Sequence, residues 1–227
     1  VQGRTARILQ FGSHLYPFVS SCSSHMARVC AVASSKGGVG KTTTTANLAA
    51  TLAADGYDVA VIDGDIGMAN LGDQLGVAAS EATLHDVLAA GASVEAASYE
   101  GPHGLTVVPG GAELEAFSEA DITRLGRVVG SFADRDFVFV DTGAGLSHET
   151  ALPMGLSDEV LLVSTADRDA LSNTEKTRQV AEKLGAEVSG VVLTRVTPGD
   201  TPGDASPLSA RVLGSVPEDV SLHEASD

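Results

Sequence analysis

Lysine is scarce in this chain. Only four lysines stand among 227 residues, and 14 basic side chains face 30 acidic ones for a formal net charge of −16. Nowhere do the basic residues cluster, so a DNA-coating role is not expected, because non-specific affinity for nucleic acid is built from phosphate contacts by Lys and Arg. No uninterrupted apolar run approaches the roughly 18 residues of a membrane-spanning helix, and the chain reads as soluble and cytoplasmic. Cysteine is rarer still. Cys22 and Cys30 form no CxxC pair and join none of the six scattered histidines in a ligand cluster. That argues against a disulfide framework, a zinc site or a carrier of metal clusters. Cys30 lies in an apolar run and reads as a small buried hydrophobe.

What is abundant is apolar and acidic. Hydrophobic residues make up 43% of the chain, which argues for a folded core beneath an acidic, solvated surface rather than for a disordered polyanion. A surface poor in Lys and rich in Asp and Ala suits a cytoplasm of very high salt, where carboxylate repulsion is screened within a few Å. A halophilic source is the corresponding expectation. The length suffices for one sizeable α/β domain.

Residues 1–25, "VQGRTARILQFGSHLYPFVSSCSSH", contain no acidic residue and carry no long apolar stretch typical of a cleavable signal. They read as a disordered extension, with a targeting arm as the alternative. From Met26 to residue 227 the pattern is that of a single domain. Short apolar runs at 28–34, 58–63, 105–110, 136–141, 159–165, 187–196 and 211–217 alternate with longer helical stretches. Near-continuous Val/Ile/Leu runs fit strands covered on both faces, and hence a mostly parallel sheet flanked by helices in a doubly wound α/β fold. The helical stretches at 42–56 and 171–185 end on Gly, as helix C-termini favour. The segment "TPGDTPGDASP", 197–207, reads as an exposed loop.

One motif carries chemistry. "KGGVGKTT", 36–43, follows an expected strand and opens an expected helix, the context a phosphate-binding loop requires. Gly37, Gly38 and Gly40 allow the backbone to bend so that successive N–H groups, Val39 among them, face phosphate oxygens at a helix N-terminus. Lys41 would reach the β and γ phosphates of ATP, Thr42 would offer its hydroxyl to Mg²⁺, and Thr43 would approach the α phosphate. Downstream, Asp63 and Asp65 close one apolar run and Asp141 closes another. Carboxylates at strand ends beside such a loop can hold Mg²⁺ waters or orient an attacking water.

The general pattern GxxxxGK[ST] would place Gly at 35, where Ser35 stands, and adds a lysine at 36. KGGxGK[ST] resembles the deviant Walker A loop of the MinD/ParA class of P-loop ATPases, and the "DxDxGxxNL" segment from Asp63 is closest to the MinD branch, of the archaeal, haloarchaeal-like kind. The resemblance implies that Lys36 crosses a dimer interface to the partner's phosphates while Lys41 serves its own. It implies that Asp65 positions the attacking water, that Asp63 belongs to the second shell of the metal, and that Asp141 is the Walker B residue holding a Mg²⁺-bound water. Gly143 replaces the usual Pro in a switch spanning Gly143–Gly145. "GVVLTRV" and "SVPED" match the base-side segments, which implies base contacts from Thr194, Arg195, Pro217 and Glu218. Thr194 stands for the usual Asn and cannot make its two-pronged amide contact, so weaker base discrimination is expected. Asp167 and Asn173 fall at the implied dimer face. The family pattern continues past "PEDxxxxEA" into a further helix and often a basic amphipathic tail, so membrane association is not expected from the residues present.

The resulting expectation is a MinD-like ATPase that alternates between an ATP-bound homodimer and an ADP-bound monomer, is accelerated by a protein partner, and positions a cellular structure. The alternatives are a ParA-like partitioning ATPase, a metal-cluster carrier of the Mrp kind lacking its cysteines, and a degenerate, non-hydrolysing binding module. The acidic surface generates the first test. The unfolding midpoint, followed by circular dichroism, is expected to rise from dilute buffer to molar KCl, and a midpoint that falls removes the high-salt reading.

Overall fold

The computed structural model describes residues 26–111, 120–197 and 207–218. The N-terminal extension with Cys22, nearly all of the TPGD segment and Asp219 lie outside the described residues. The chain runs β1 (Arg28–Ser34), α1 (Lys41–Ala54), β2 (Val59–Gly64), α2 (Leu71–Leu75), α3 (Leu84–Leu88), β3 (Tyr99–Glu100) and β4 (Thr106–Val108). It continues through α4 (Leu125–Gly130), β5 (Phe137–Ala144), α5 (His148–Gly155), β6 (Glu159–Thr165), α6 (Arg168–Lys183), β7 (Glu187–Val196) and β8 (Val212–Pro217).

Among the described residues one eight-stranded sheet has the order β3-β4-β2-β5-β1-β6-β7-β8. Every pairing is parallel except that of β3 with β4. Successive residues of the central strands face opposite layers, as strand geometry dictates. Cys30, Val32, Val61, Phe137 and Phe139 pack with Ala46, Ala49 and Leu52 of α1 and with Leu71 and Leu75 of α2. Their strand neighbours Ala60, Ile62, Val138 and Val140 pack beneath Leu84 and Leu88 of α3 and Leu125 and Val128 of α4. Ala31, Ala33, Leu162 and Leu193 meet Met154 of α5 and Leu171 and Ala181 of α6 on that same side. Burial on both faces is the reason these strands read as unbroken apolar runs.

All seven expected strands are present. The additional β3 is two residues long, and Tyr99 within it organises the preceding loop. Its hydroxyl accepts from the N–H groups of Ser80, Glu81 and Ala82 at 3.2, 3.0 and 3.0 Å, and donates to the Ala82 carbonyl at 2.8 Å. β5 runs past the expected end at Asp141 through Ala144, so Gly143 belongs to the strand, contrary to the expected switch boundary. The extension is held by pairing on both edges, Thr142 with Gly64 and Ala144 with Ser34. Gly145, at φ 91°, leaves the strand.

Helix α6 is tied to the segment preceding β8 through Glu175. Its carboxylate accepts from Arg178 Nε and Nη2 at 2.9 and 2.8 Å, Gln179 Nε2 at 3.0 Å and the Ser209 N–H at 3.0 Å. The Arg178 hydrogen bonds lead in holding Glu175 down to about 2. A folded-state value below the ordinary one means that this stabilisation is complete above about pH 4.5 and is lost as pH falls toward 2. Glu175→Gln is therefore expected to flatten the acid limb of stability below pH 4.5, read from urea unfolding at fixed salt.

Candidate functional site

The sheet places the C-terminal ends of β1, β5 and β2 side by side, and the chain leaves β1 through the glycine loop. Gly38 and Gly40 adopt φ of 71° and 85°, a region side-chain-bearing residues enter only under strain. Ser34 Oγ donates to the Lys36 carbonyl at 3.0 Å, and Ser35 Oγ lies 3.2 Å from Thr174 Oγ1 on α6. Val39 turns its side chain into the core, while its carbonyl accepts from Thr194 Oγ1 at 2.6 Å. Helix α1 then begins with no side-chain cap and no acidic residue in its first turn. Its leading amides and the positive end of its dipole are thus left for an anion.

Lys41 is the first residue of α1 and is 6% exposed. Its Nζ donates to Asp141 Oδ1 at 3.1 Å and lies 4.0 Å from Asp65 Oδ2. Thr45 Oγ1 donates to the same Asp141 oxygen at 2.9 Å, and the Thr42 hydroxyl nearby favours the charged carboxylate. Burial pushes the Asp141 carboxyl up, against the pull of the Lys41 ammonium. Asp141 Oδ2 is buried with no hydrogen-bond partner.

Asp63 stands in register with Asp141 on the neighbouring strand. Its oxygens accept from the backbone N–H groups of Asp65 at 3.3 Å and Leu71 at 2.9 Å, so it holds both ends of the 64–71 loop. Burial pushes Asp63 up to about 7, opposed by the hydrogen bond from Leu71. Asp65 remains partly exposed, with Oδ1 accepting from the Met68 N–H at 3.2 Å. A Cβ on Gly143 would sit 3.6 Å from Asp65 Oδ1, so the end of β5 walls this carboxylate.

The other expected residues fall in three settings. Gly37 and Gly38 are exposed along the loop, and Thr43 is exposed on the outer side of α1. Lys36 is half-exposed, with Nζ 3.9 Å from Asp167 Oδ1. Asp167 caps α6 by accepting from the Ala170 N–H at 2.9 Å, and Asn173 accepts from Lys176. Thr194 is buried and its hydroxyl is committed to the carbonyls of Val39 and Ser164, not to an exposed edge that a base could meet. Arg195, at φ 52°, is exposed where the β7–β8 register shifts. Pro217 pairs with Val196 there, and the Glu218 N–H donates to the Val196 carbonyl at 3.1 Å.

Sequence reasoning missed Thr45 and the hydroxyl chain that links Ser35 through Thr174 to Ser164. Thr45 had a readable signal, since it lies four residues after Lys41 and so on the same helix face. The hydroxyl chain had none, because its members are brought together only by the packing of α6. Among the described residues no group of three His, Cys, Asp or Glu side chains is placed to hold a metal by itself.

A strand, a glycine turn, an open helix N-terminus, a buried lysine and a strand-end carboxylate together define a P-loop nucleotide-binding protein. Residues 30–227 match the CobQ/CobB/MinD/ParA nucleotide binding domain, and the chain belongs to that family. It is 37% identical over 205 residues to an uncharacterized ATP-binding protein of Methanocaldococcus jannaschii, covering 88% of this chain and 78% of the relative. The crystal structure of the cell division ATPase MinD of Pyrococcus furiosus superposes with a TM-score of 0.83 at 38% identity, covering 88% of this chain and 86% of that one. The septum site-determining protein MinD of Pyrococcus horikoshii, complexed with Mg-ADP, superposes with a TM-score of 0.82 at 35% identity, covering 88% and 85%. The expected fold and the MinD/ParA resemblance are borne out.

The buried pair is testable without nucleotide. Lys41→Ala leaves Asp141 charged and unpaired, and is expected to lower stability by about 3–5 kcal/mol. Adding Asp141→Asn to that variant is expected to restore a large part of the loss, and a double-mutant cycle in urea measures the coupling.

Proposed function

We propose that this protein binds and hydrolyses Mg-ATP, and that its ATP-bound form is a homodimer completed by Lys36. The observation carrying this reading is the contrast between the two lysines of the loop. Lys41 is buried on Asp141 within its own chain, whereas the Lys36 ammonium rests beside Asp167 in an exposed pair. Exposed pairs contribute little, about 0–1 kcal/mol, so Lys36 is free to take a stronger anion. The phosphates of a nucleotide held by a second copy supply one.

The residues also suit magnesium. Asp141 Oδ2 is buried with no protein partner, and the Thr42 hydroxyl stands at the start of α1 beside the same carboxylate. Thr42 would ligate the ion and Asp141 would hold one of its waters. The ion supplies charge neutralisation of the phosphates. Lys41 carries three N–H donors, of which Asp141 takes one, so it can hold β and γ oxygens without abandoning the pair. Asp65, partly exposed and 4.0 Å from Lys41, orients the attacking water. The water oxygen bonds to the γ phosphorus as the bond to the β–γ bridging oxygen breaks, giving ADP, phosphate and a proton. Hydrolysis removes the anion that Lys36 reaches for, and the dimer loosens.

A protein that dimerises only with ATP is suited to position a cellular structure, with a partner protein accelerating the slow step, and the cell-division MinD relatives support that role. No helix among the described residues is long and apolar enough to cross a membrane. A cytoplasmic site of action fits this reading.

Light scattering in molar KCl tests the proposal. Mg-ATP is expected to double the mass, Mg-ADP to leave it unchanged, and Lys36→Ala to abolish the doubling. Asp65→Ala is expected to lower phosphate release by about a hundredfold or more while dimerisation persists. An unchanged mass with ATP bound would instead assign the chain to a nucleotide-binding module.

A further inference from the structure

His85 plays no part in the proposed chemistry, yet its ring joins two segments that frame it. It lies on α3 and is 1% exposed. Nδ1 accepts from the Gly111 N–H at 2.7 Å, and Nε2 lies 2.8 Å from the Ile66 carbonyl. A backbone N–H can only donate, so Nδ1 carries the lone pair. Nε2 therefore carries the hydrogen and donates to Ile66.

Ile66 is the residue after Asp65. Asp63 fastens the two ends of the intervening loop, through the N–H groups of Asp65 and Leu71, and leaves its middle to other contacts. There the Ile66 side chain packs into the cluster containing Leu84 and Leu88, while its carbonyl receives the His85 hydrogen bond. Met68, two residues on, is 78% exposed, so the outer side of the loop is open to solvent. Behind the loop the Pro109–Gly111 segment presses close. A Cβ on Gly110 would fall 2.3 Å from the Ala69 Cβ, and one on Gly111 would fall 2.9 Å from Thr83 Oγ1 and 3.3 Å from the His85 Cβ. The ring thus spans the gap between the tightly packed Gly110–Gly111 segment and the loop that carries Asp65.

We propose that His85 is a positioning residue for hydrolysis, its Nε2–H holding the Ile66 carbonyl so that the Asp65 carboxylate stays beside Lys41. This rests on the ATPase reading above. Small displacements of a group that orients a reactant carry large rate penalties, whereas phosphate affinity resides in the glycine loop and α1, which His85 does not touch.

Two substitutions separate the ring's two contacts in the full chain. In His85→Gln the side-chain amide can donate from the place of Nε2, and in His85→Asn the side-chain oxygen can accept at the place of Nδ1 while the donor to Ile66 is lost. Steady-state phosphate release, urea stability, and hydrogen exchange at the Met68 and Leu71 amides without added nucleotide are measured for both. His85→Asn is expected to lower kcat about 10- to 100-fold with little change in the KM for ATP. His85→Gln is expected to stay within about threefold of the parent, and exchange at both amides to be faster in His85→Asn than in His85→Gln. Equal kcat in the two variants, or losses that follow their urea stability alone, would overturn the proposal and leave His85 a satisfied core residue. A parent protein that releases no phosphate sinks the ATPase reading instead. The exchange comparison then decides the loop anchor by itself, faster exchange in His85→Asn supporting it and equal exchange refuting it.

Discussion

The site depends on one buried ion pair, Lys41 with Asp141. An ammonium and a carboxylate withdrawn from water cost several kcal/mol each in lost hydration, and only close contact with further hydrogen bonds offsets that. Thr45 adds a hydroxyl hydrogen bond to the Asp141 carboxylate, and the nearby Thr42 hydroxyl also favours its charged form. The pair pins the start of α1 to the end of β5, and the glycine loop between β1 and α1 must then pass over the same edge of the sheet. Sheet order makes this possible, because β5 lies between β1 and β2.

Around that pair the carboxylates have separate duties imposed by exposure. Asp141, wholly buried, faces the lysine, and Asp63, almost as buried, spends its oxygens on backbone amides. Asp65 alone keeps partial contact with solvent, the condition for meeting a water. Gly143 lies against both groups, since a Cβ there would meet Thr150 Oγ1 at 3.4 Å and Asp65 Oδ1 at 3.6 Å, ordinary contact distances. The lysines divide likewise. Lys41 is buried on Asp141, and Lys36 stays exposed beside Asp167.

The glycine loop is braced from behind by groups far away in sequence. Thr194 on β7 holds the Val39 carbonyl, and Thr174 on α6 meets Ser35. At the position where the family places a base-reading amide, this chain has a hydroxyl turned inward onto the loop. Arg195 and Glu218 stand at the ends of β7 and β8, beyond this inward-turned hydroxyl.

Much of this was legible without coordinates. Burial on both faces makes a parallel strand an unbroken apolar run, so seven strands and the doubly wound architecture could be read directly, and the phosphate loop is a local motif whose glycines, lysine and hydroxyls are contiguous. The two-residue β3 was not legible, because a segment that short has no periodicity, and the hydroxyl of Tyr99 that organises its surroundings acts on a loop 17 to 19 residues away. Nor was the division of labour among the aspartates, the inward turn of Thr194 or the bridging ring of His85. By itself the sequence determined the longer strands, the family and the phosphate-loop motif, since these are written in neighbouring residues and local period. Tertiary structure alone decided which polar group meets which, as with Thr194 and Val39, 155 residues apart, because burial compels each polar atom to find whatever partner the packed chain brings within about 3 Å.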